Sequence, residues 1–325
     1  MMQKIILIIM LAIILCTKNG EDFICKQLNS IKQQTFKNFD IYIKDNYSTD
    51  KTLIHINKFV DQNPELNIIF LKGDNLHFAN SYIQGLIDIP KEYDFYAFCD
   101  QDDIWECNHL QRSVKYLENI KNGLPSVYCS RTKLIDEFDN HIGISSYFPK
   151  NPSFQNALVQ SIAGANTMVF NFNAFNTLKK INLDIKVVSH DWILYILITS
   201  QKGHFFYDQR ASVQYRQHKK NLVGANLGFY NSLKRLKLML EGKFREYNIQ
   251  NVEQIKSFPD ITLDNKVILN SFIESIYSMR IKRLFYLVKS GVYRQSILGN
   301  MALLVNIFFD GSTTVKKKPI VKVSS

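Results

Sequence analysis

Three carboxylates follow directly on an apolar run in FYAFCDQDDIW, at Asp100, Asp102 and Asp103. Like charges this close repel each other, and two carboxyls in one pocket raise each other's pKa. Asp103 has the capping-box spacing to Glu106, so it is predicted to begin a helix. This leaves Asp100 and Asp102 to be explained. They either form a polar turn or bind a divalent cation. The cation-binding interpretation has a physical basis, because Mg²⁺ is typically held by one or two carboxylates together with substrate phosphates.

The elements that would hold these acids alternate between strand and helix. Strand patterns occur at LAIILC, FDIYIKD, LNIIFLK and YDFYAFC, and helical apolar spacing fills the stretches between them. This order predicts an α/β domain with a mainly parallel sheet. Ligands bind outside the carboxyl ends of the strands in doubly wound sheets. Polar stretches follow three of these strands, in CTKNG, KDNYSTD and DQDD, so we expect them to form one site.

Further elements are expected beyond the fourth strand. The helix predicted to begin at Asp103 would run to a glycine C-cap at Gly123. PSVYCSRTKLID is predicted to form another strand, and Asp191–Gly203 an apolar helix. The stretch GHFFYDQRASVQYRQH indicates strand followed by loop.

The apolar run at Ile5–Cys16 has two interpretations. It could be the core of a signal peptide, which would make the chain an exported, membrane-anchored binding protein. It is too short to span a bilayer as a helix, which needs about 20 residues, and no small-residue cleavage pattern follows. Its β-branched residues favour a buried parallel strand at Leu11–Cys16, with Met10 as an alternative start.

Composition and charge restrict the possible partners. The 325 residues suggest one large domain or two ordinary ones, with a net charge of +11. From Gly228 onward the chain has 16 Lys and Arg against 7 Asp and Glu, so this region carries most of the excess. Such a region suggests an anionic surface, and without a recognition motif we favour a membrane over nucleic acid. The odd number of cysteines, five, without a CxxC pair, favours a reducing compartment.

Four segments together resemble a known enzyme family. They are LAIILCTKNG with the following residues through KDNYSTDKT, YDFYAFCDQDDIW, SHDWIL and YRQHKKNLVGAN, in that order. The chain resembles the family-2 glycosyltransferases of bacterial surface polysaccharide synthesis, particularly the rhamnosyltransferase-like branch. The resemblance covers roughly residues 10–226. It implies the GT-A fold, a Rossmann-like, mostly parallel sheet flanked by helices, with residues 227–325 as a basic helical extension. It also implies sugar transfer from a nucleotide donor with inversion at the anomeric carbon.

The resemblance assigns residues to the donor side of the site. Asp45 would accept a hydrogen bond from a pyrimidine N–H, while Ser48, Thr49 and Asp50 are expected to be helix caps. Asp102 would bind Mg²⁺ or Mn²⁺ directly, and His218 could be a second ligand or an ordinary loop histidine. The residues assigned to the donor are Cys16, Thr17, Lys18, Asp45, Asp100 and Gln101.

The resemblance also assigns the catalytic and acceptor residues. Asp191 would be the general base that accepts the proton of the acceptor hydroxyl, although a plain helix N-cap is the alternative. His190 would orient neighbouring groups rather than act as the base. The acceptor side would include Gly164, Ala165, Asn166, His190 and Trp192.

The expected partners follow from the same resemblance. The donor would be dTDP-rhamnose or a UDP-hexose, and the acceptor a lipid-linked glycan at the inner face of the plasma membrane, with the enzyme cytoplasmic and peripheral. The segment GVYRQSILGNMALL resembles the C-terminal part of the same enzymes. Basic and apolar residues mix here, which favours a helix lying in the membrane interface or a small bundle with a solvated basic face. A non-catalytic nucleotide-sugar or glycan binder on the same fold is the alternative function.

Overall fold

The first half of the chain forms the predicted alternation of strands and helices. The computed structural model describes residues 9–120, 123–218 and 243–309. Its first seven elements are β1 (Leu11–Thr17), α1 (Ile24–Lys32), β2 (Phe39–Asp45), α2 (Thr52–Gln62), β3 (Ile68–Leu71), α3 (Phe78–Ile87) and β4 (Phe95–Cys99). Strand β1 is buried at every position, which confirms the strand interpretation of Leu11–Cys16. Residues 1–8, and with them the earlier start at Met1, lie outside the described residues.

The second half mixes short strands with helices. Its elements are β5 (Ile104–Trp105), α4 (His109–Leu117), β6 (Ser126–Ile135), β7 (His141–Ile144), α5 (Phe154–Ala157), a 3₁₀ turn (Ala165–Thr167), β8 (Val169–Asn171), α6 (Phe172–Leu178), α7 (His190–Ser200) and β9 (His204–Arg216). The strand predicted at PSVYCSRTKLID is confirmed, and so is the apolar helix predicted at Asp191–Gly203, although α7 ends at Ser200.

The nine strands found in the described residues belong to one sheet. Their order is β3-β2-β1-β4-β8-β6-β9-β5, and β7 pairs with β6. Strands β3, β2, β1 and β4 are parallel, and Thr17 of β1 lies opposite Asp45 of β2. Beyond β4 the directions mix, because β8 is antiparallel to both β4 and β6, whereas β6 and β9 are parallel. The parallel half therefore brings three strand ends to one edge, as predicted.

Helices cover both faces of the sheet. Alternate residues of β1 point to opposite sides, so Ile14 belongs to one buried apolar cluster and Ile13 to the other. Helices α1, α2 and α4 cover the Ile13 side, while α3, α6 and α7 cover the Ile14 side. This is the arrangement expected of an α/β fold with a parallel sheet buried on both faces.

The predicted capping box at Asp103 and Glu106 is wrong. Helix α4 begins only at His109, because Ile104 and Trp105 pair with β9 as the short strand β5. Asp103 is completely buried, and Glu106 forms an ion pair of 2.8 Å with Lys133. Tertiary strand pairing has overridden a local helix signal here. The predicted end of the helix is also too late, since α4 ends at Leu117 and Gly123 lies in the following loop with φ +93°.

The basic C-terminal region is helical where it is described. Its helices are α8 (Lys243–Ile255), α9 (Leu263–Tyr277), α10 (Arg280–Ser290) and α11 (Ile297–Phe309). Phe272 and Ile307 join the same apolar cluster as Ile14, so these helices share a core with the sheet. The boundary predicted at residues 226–227 lies outside the described residues. Within 9–120, 123–218 and 243–309, no helix is long and apolar enough to cross a bilayer.

A buried ion pair on β9 gives the fold a pH-dependent stability. Asp208 accepts hydrogen bonds from Arg112 at 2.7 Å and from the Tyr128 hydroxyl at 2.8 Å. Burial by itself would raise the pKa of Asp208, but hydrogen bonds from Arg210, Arg112 and Tyr128 outweigh it and lower the pKa to about 2. A depressed pKa means that the stabilisation is present above the unfolded pKa near 4 and is lost as the pH falls toward 2.

We therefore expect Asp208→Asn to lower the free energy of unfolding by about 2 kcal/mol at pH 7. The difference from the wild type should disappear between about pH 4 and pH 2, measured by urea denaturation at several pH values. Asp260→Asn is the matched control, because Asp260 forms a surface pair with Lys180 and should cost less than about 1 kcal/mol. A pH-independent loss in Asp208→Asn would contradict this account.

Candidate active site

The ends of β1 and β2 meet through Asp45. Its Oδ1 accepts a hydrogen bond from the Thr17 hydroxyl at 2.8 Å, and its Oδ2 accepts from the Ser48 amide at 2.8 Å. The Ser48 hydroxyl donates to Oδ1 as well, at 2.6 Å. The prediction that Ser48, Thr49 and Asp50 cap α2 is wrong, because the N-cap is Lys51 and makes no side-chain capping bond. Asp50, one position earlier, accepts from the Thr52 amide. The carboxylate of Asp45 is thus held in place at the carboxyl edge of the sheet.

A paired amide contact joins the β1 loop to the DQDD stretch. The side chain of Gln101 accepts from the Lys18 amide at 2.9 Å and donates to the Lys18 carbonyl at 3.1 Å. A Cβ atom at Gly20 would lie 2.4 Å from Gln101 Oε1, so a larger residue at position 20 would displace the Gln101 amide. Lys18 and Gln101, both predicted on the donor side, are therefore adjacent, while Cys16 is buried below them at the end of β1.

Two of the three acids that follow β4 lie at the site edge. Asp100 accepts a hydrogen bond from the Tyr82 hydroxyl at 2.8 Å. Burial, the charge of Asp102 and, to a smaller extent, the charge of Asp191 raise the pKa of Asp100 to about 7. Asp102 instead faces His218, with 2.7 Å between Oδ2 and the ring Nε2. The structure therefore places His218, which follows β9, beside the predicted metal ligand.

Asp102 and His218 together can supply two ligands to a cation. No group of three or more His, Cys, Asp or Glu is placed to hold a metal within the part of the chain that the structure describes. Two protein ligands suit a cation whose remaining coordination comes from a diphosphate and water. The carboxylate oxygen of Asp102 is a ligand type that suits both Mg²⁺ and Mn²⁺, whereas imidazole nitrogen suits softer transition-metal ions. The residues present therefore fit a cation shared with substrate and do not form a closed metal cage.

Asp191 lies in the first turn of α7. Its Oδ1 accepts from the Ser189 hydroxyl and, at 2.6 Å, from the Trp192 amide, and among the described residues its Oδ2 has no hydrogen-bond partner. Burial raises the pKa of Asp191 above its usual value. Since the charge of Asp191 also acts on Asp100, the two carboxyls belong to one electrostatic site. Asp191 thus combines a helix-start position with an oxygen that can accept a proton.

His190 is a buried, uncharged aromatic group beside this acid. Its ring stacks on Tyr82 with 4.2 Å between centroids and meets Phe98 edge-on at 4.7 Å. Burial lowers the pKa of His190 to about 3, and neither ring nitrogen has a hydrogen-bond partner among the described residues. A histidine that stays neutral in an aromatic cage is a poor proton acceptor, and the orienting role of His190 stays a prediction.

The predicted acceptor segment is built around a buried amide. Asn166, in the 3₁₀ turn that contains Ala165, donates to Asp103 Oδ2 at 2.5 Å. A Cβ atom at Gly164 would lie 2.6 Å from the Asn166 side-chain oxygen. Trp192 is buried as well, and its indole N–H donates to the Ala157 carbonyl at 2.7 Å. Asn166 and Trp192 therefore support the site from inside the protein.

The sequence of the chain matches a family model described as Glycosyl transferase family 2 over residues 12–177. The chain belongs to this family. This confirms the resemblance, and the matched region contains β1 to β8 with the Asp45 and DQDD segments.

The relatives and the similar structures agree with this assignment. The dTDP-rhamnosyl transferase RfbG of Shigella flexneri is 28% identical over 243 residues, which cover 71% of this chain and 81% of the relative. The UDP-glucose-dependent β-1,3-glucosyltransferase WfaP of Escherichia coli is 31% identical over 112 residues, 34% of this chain and 43% of the relative.

Two solved structures share the fold. Staphylococcus aureus TarS 1–349 in complex with UDP-GlcNAc has a TM-score of 0.52 and 16% identity, covering 88% of this chain and 93% of that one. The mannosyltransferase PcManGT of Pyrobaculum calidifontis, in complex with GDP-Man and Mn²⁺, has a TM-score of 0.51 and 13% identity, covering 86% and 85%. These likenesses confirm the predicted GT-A fold of this family-2 glycosyltransferase.

The structure of this glycosyltransferase adds two residues that the sequence did not single out for the site. Asp103 was predicted to be a cap, but it is a buried acceptor for Asn166 and for the Arg216 amide, which donates at 3.0 Å. Asp139, at the β6–β7 turn, pairs with Arg216 at 2.5 Å. The local sequence around Asp139 carries no motif that could have indicated this contact, which joins positions 77 residues apart.

The buried contact between Asn166 and Asp103 should be important for stability. Burial, and then the charges of Asp102 and Asp100, raise the pKa of Asp103 well above its usual value, so this carboxyl depends on its hydrogen-bond donors. We expect Asn166→Ala to lower the free energy of unfolding by about 1–3 kcal/mol in urea denaturation, because it leaves a buried acceptor short of a donor.

Asn140→Ala is the matched control for this effect. Asn140 donates to Asp136 at 3.0 Å, but it is exposed, and water can replace the lost contact. Its loss should cost about 0.5 kcal/mol or less. If both substitutions lowered the free energy of unfolding equally, burial of the Asn166 contact would not be the reason for its effect.

Proposed function

We propose that this glycosyltransferase moves a sugar from a dTDP- or UDP-linked donor to a lipid-linked glycan, with inversion, in the synthesis of a bacterial surface polysaccharide. The observation that carries the proposal is that the parallel strands β1, β2 and β4 bring Asp45 and the DQDD stretch to one edge of the sheet, where the charge of Asp191 acts on Asp100. The donor class is supported by the names of relatives that use dTDP-rhamnose and UDP-glucose, both pyrimidine nucleotides. The acceptor class is supported by the E. coli relative, whose name specifies a diphosphoundecaprenol-linked acceptor.

The donor would lie across the ends of β1, β2 and β4. Asp45 would accept from the pyrimidine N–H, and the loop of Thr17 and Lys18 would lie along the base. The amide of Lys18 is fixed by Gln101 at 2.9 Å. The positive side chain of Lys18 would then lie near the anionic diphosphate of the donor. Asp100, held by Tyr82, would stand beside the ribose or the cation.

Asp102 and His218 would hold Mg²⁺ or Mn²⁺ together with the diphosphate. When bound, such a cation offsets the negative charge that develops on the departing diphosphate. The contribution of the chain is to hold Asp102 Oδ2 and His218 Nε2 within 2.7 Å of each other. A relative in fold, PcManGT, was solved with Mn²⁺ bound.

Asp191 would serve as the general base. Its carboxylate would take the proton of the acceptor hydroxyl while that oxygen bonds to the anomeric carbon and the sugar–phosphate bond breaks. The nucleoside diphosphate leaves with the bonding electrons, so the anomeric configuration inverts in a single displacement. Burial raises the pKa of Asp191, and a base with a raised pKa holds the transferred proton more firmly.

The C-terminal helices would place the enzyme on the inner face of the plasma membrane. On α10, Ile281, Phe285 and Val288 follow helical spacing and are 84%, 62% and 75% exposed. On α11, Ile297 and Leu298 are 81% and 77% exposed. The stretch 279–309 has five Lys or Arg and no Asp or Glu. Exposed apolar side chains among bases, without an acid, are typical of helices that lie in an anionic lipid interface.

Nucleotide binding and transfer can be tested separately. Wild-type protein should gain thermal stability with dTDP or UDP, and more so with Mn²⁺, by RT ln(1 + [L]/Kd). Asp102→Asn should lose the Mn²⁺-dependent part, because it removes the charged ligand. Asp191→Asn should keep the full shift and lose more than about 100-fold in transfer rate, because it removes only the base.

The results of these experiments distinguish an active glycosyltransferase from a non-catalytic binder. Full transfer activity in Asp191→Asn would overturn the role of the base, and a nucleotide shift without turnover in the wild type would indicate a non-catalytic binder. Without any nucleotide-dependent shift in the wild type, the proposed donor site is wrong. Asp94→Asn serves as a matched control, since Asp94 is an exposed acid at the opposite end of β4.

Membrane contact can be tested with Phe285→Glu. The full chain should sediment with vesicles that contain phosphatidylglycerol, and Phe285→Glu should weaken this binding more than tenfold, because about 2 kcal/mol of apolar burial is lost. Phe138→Glu is the matched control, because Phe138 is 74% exposed on the β6–β7 turn, outside the C-terminal helices. Equal binding of the two variants would contradict the proposed surface.

A further inference from the structure

The buried guanidinium of Arg216 ties the DQDD stretch to distant parts of the fold. Arg216 is completely buried, at the last position of β9. Its Nε donates to the Asp102 carbonyl at 2.8 Å, and its backbone amide donates to Asp103 at 3.0 Å. A full positive charge therefore lies inside the protein, directly beneath Asp102.

The same residue also supports His218. The Arg216 guanidinium lies over the Phe23 ring at 4.6 Å, and the imidazole of His218 also contacts that ring, at 4.9 Å between centroids. His218 follows Arg216 by two residues in the chain. The main chain of Asp102 and the ring of His218 are thus both positioned through Arg216.

The counter-ion of Arg216 comes from another element. Asp139 lies at the β6–β7 turn and pairs with Arg216 Nη1 at 2.5 Å, while Nη1 also donates to the Asp136 carbonyl at 2.9 Å. Asp139 has φ +71°, a left-handed conformation that is uncommon for residues other than glycine, although aspartate tolerates it. The turn thus adopts a disfavoured conformation at Asp139, and this conformation places the Asp139 carboxylate against the buried Arg216.

We propose that Asp139 is a positioning residue that keeps the charge of Arg216 away from the carboxylate of Asp102, so that Asp102 and His218 remain available to a divalent cation. This inference rests on the proposed function. A buried charge that loses its partner is strongly destabilised. Without Asp139, Arg216 keeps its contacts with the DQDD stretch, at the Asp102 carbonyl and, through its backbone amide, at the Asp103 carboxyl. Arg216 would then compete with the cation for Asp102.

The proposal assigns Asp139 no contact with substrate or metal. Its effect resembles that of the outer hydrogen-bond partners of metal ligands, whose loss typically weakens metal affinity by about 10- to 100-fold. The second partner of Asp139 is Lys26, at 2.6 Å, and the Lys26 and Asp139 side chains are 43% and 38% exposed. That pair is open to water, so it should contribute little.

The test is the binding of Mn²⁺ to the full chain, followed by the loss of the electron paramagnetic resonance signal of the aqueous ion, in the presence of dTDP or UDP. Asp139→Asn keeps the size of the side chain and its tolerance of the left-handed turn, and removes only the charge. We expect it to weaken Mn²⁺ binding by about tenfold or more, with metal-free nucleotide binding unchanged. Lys26→Met should leave Mn²⁺ binding at the wild-type level.

Each outcome has a distinct meaning. If wild-type protein binds Mn²⁺ with nucleotide and Asp139→Asn binds it equally well, the positioning role is wrong. If Asp139→Asn loses metal-free nucleotide binding to the same extent, Asp139 supports the fold in general and the proposal is also wrong. Failure of the wild type to bind Mn²⁺ with either nucleotide would instead overturn the proposed function. Asp139→Glu, which keeps the charge, should recover part of the lost Mn²⁺ affinity.

Discussion

Parallel pairing of β1 with β2 and β4 is the constraint on which the rest of the site depends. Parallel strands in register bring their carboxyl ends to the same edge, so Thr17 meets Asp45 while the DQDD stretch follows β4 on the other side of β1. The strands themselves are apolar and covered on both faces, which leaves this edge as the place where polar groups can collect. The chemistry of the glycosyltransferase is therefore a consequence of strand direction.

Carboxylates collected at one edge of the sheet repel each other, and nearby hydrogen-bond donors stabilise several of them. Asp45 is satisfied by hydroxyl and amide donors, Asp100 by Tyr82, and Asp103 by Asn166 and the Arg216 amide. Among the described residues, the side chain of Asp102 contacts a histidine ring, and one oxygen of Asp191 accepts hydrogen bonds. The carboxylates with the fewest described donors are therefore the ones proposed to meet a cation and a proton. This distribution separates structural acids from candidate functional acids more clearly than their spacing in the sequence.

The C-terminal helices connect the site to a second surface. Because Phe272 and Ile307 share a core with the sheet, these helices belong to the same packed body as the site. Their outer side exposes Ile281 and Phe285 among basic residues. An interfacial surface attached through a common core would hold the site at a set height above a membrane, which suits an acceptor carried on a lipid.

The sequence by itself determined the alternation of strands and helices, the parallel half of the sheet, the family and the candidate residues of the site, because periodicity and motif spacing are local properties. It misjudged Asp103 and Glu106, where a capping-box spacing gave way to pairing of β5 with β9. Only the tertiary structure decided that Asp103 is buried, that His218 faces Asp102, and that Asp139 pairs with Arg216. These contacts join residues 77 to 116 positions apart, and burial and long-range pairing depend on how separate elements pack.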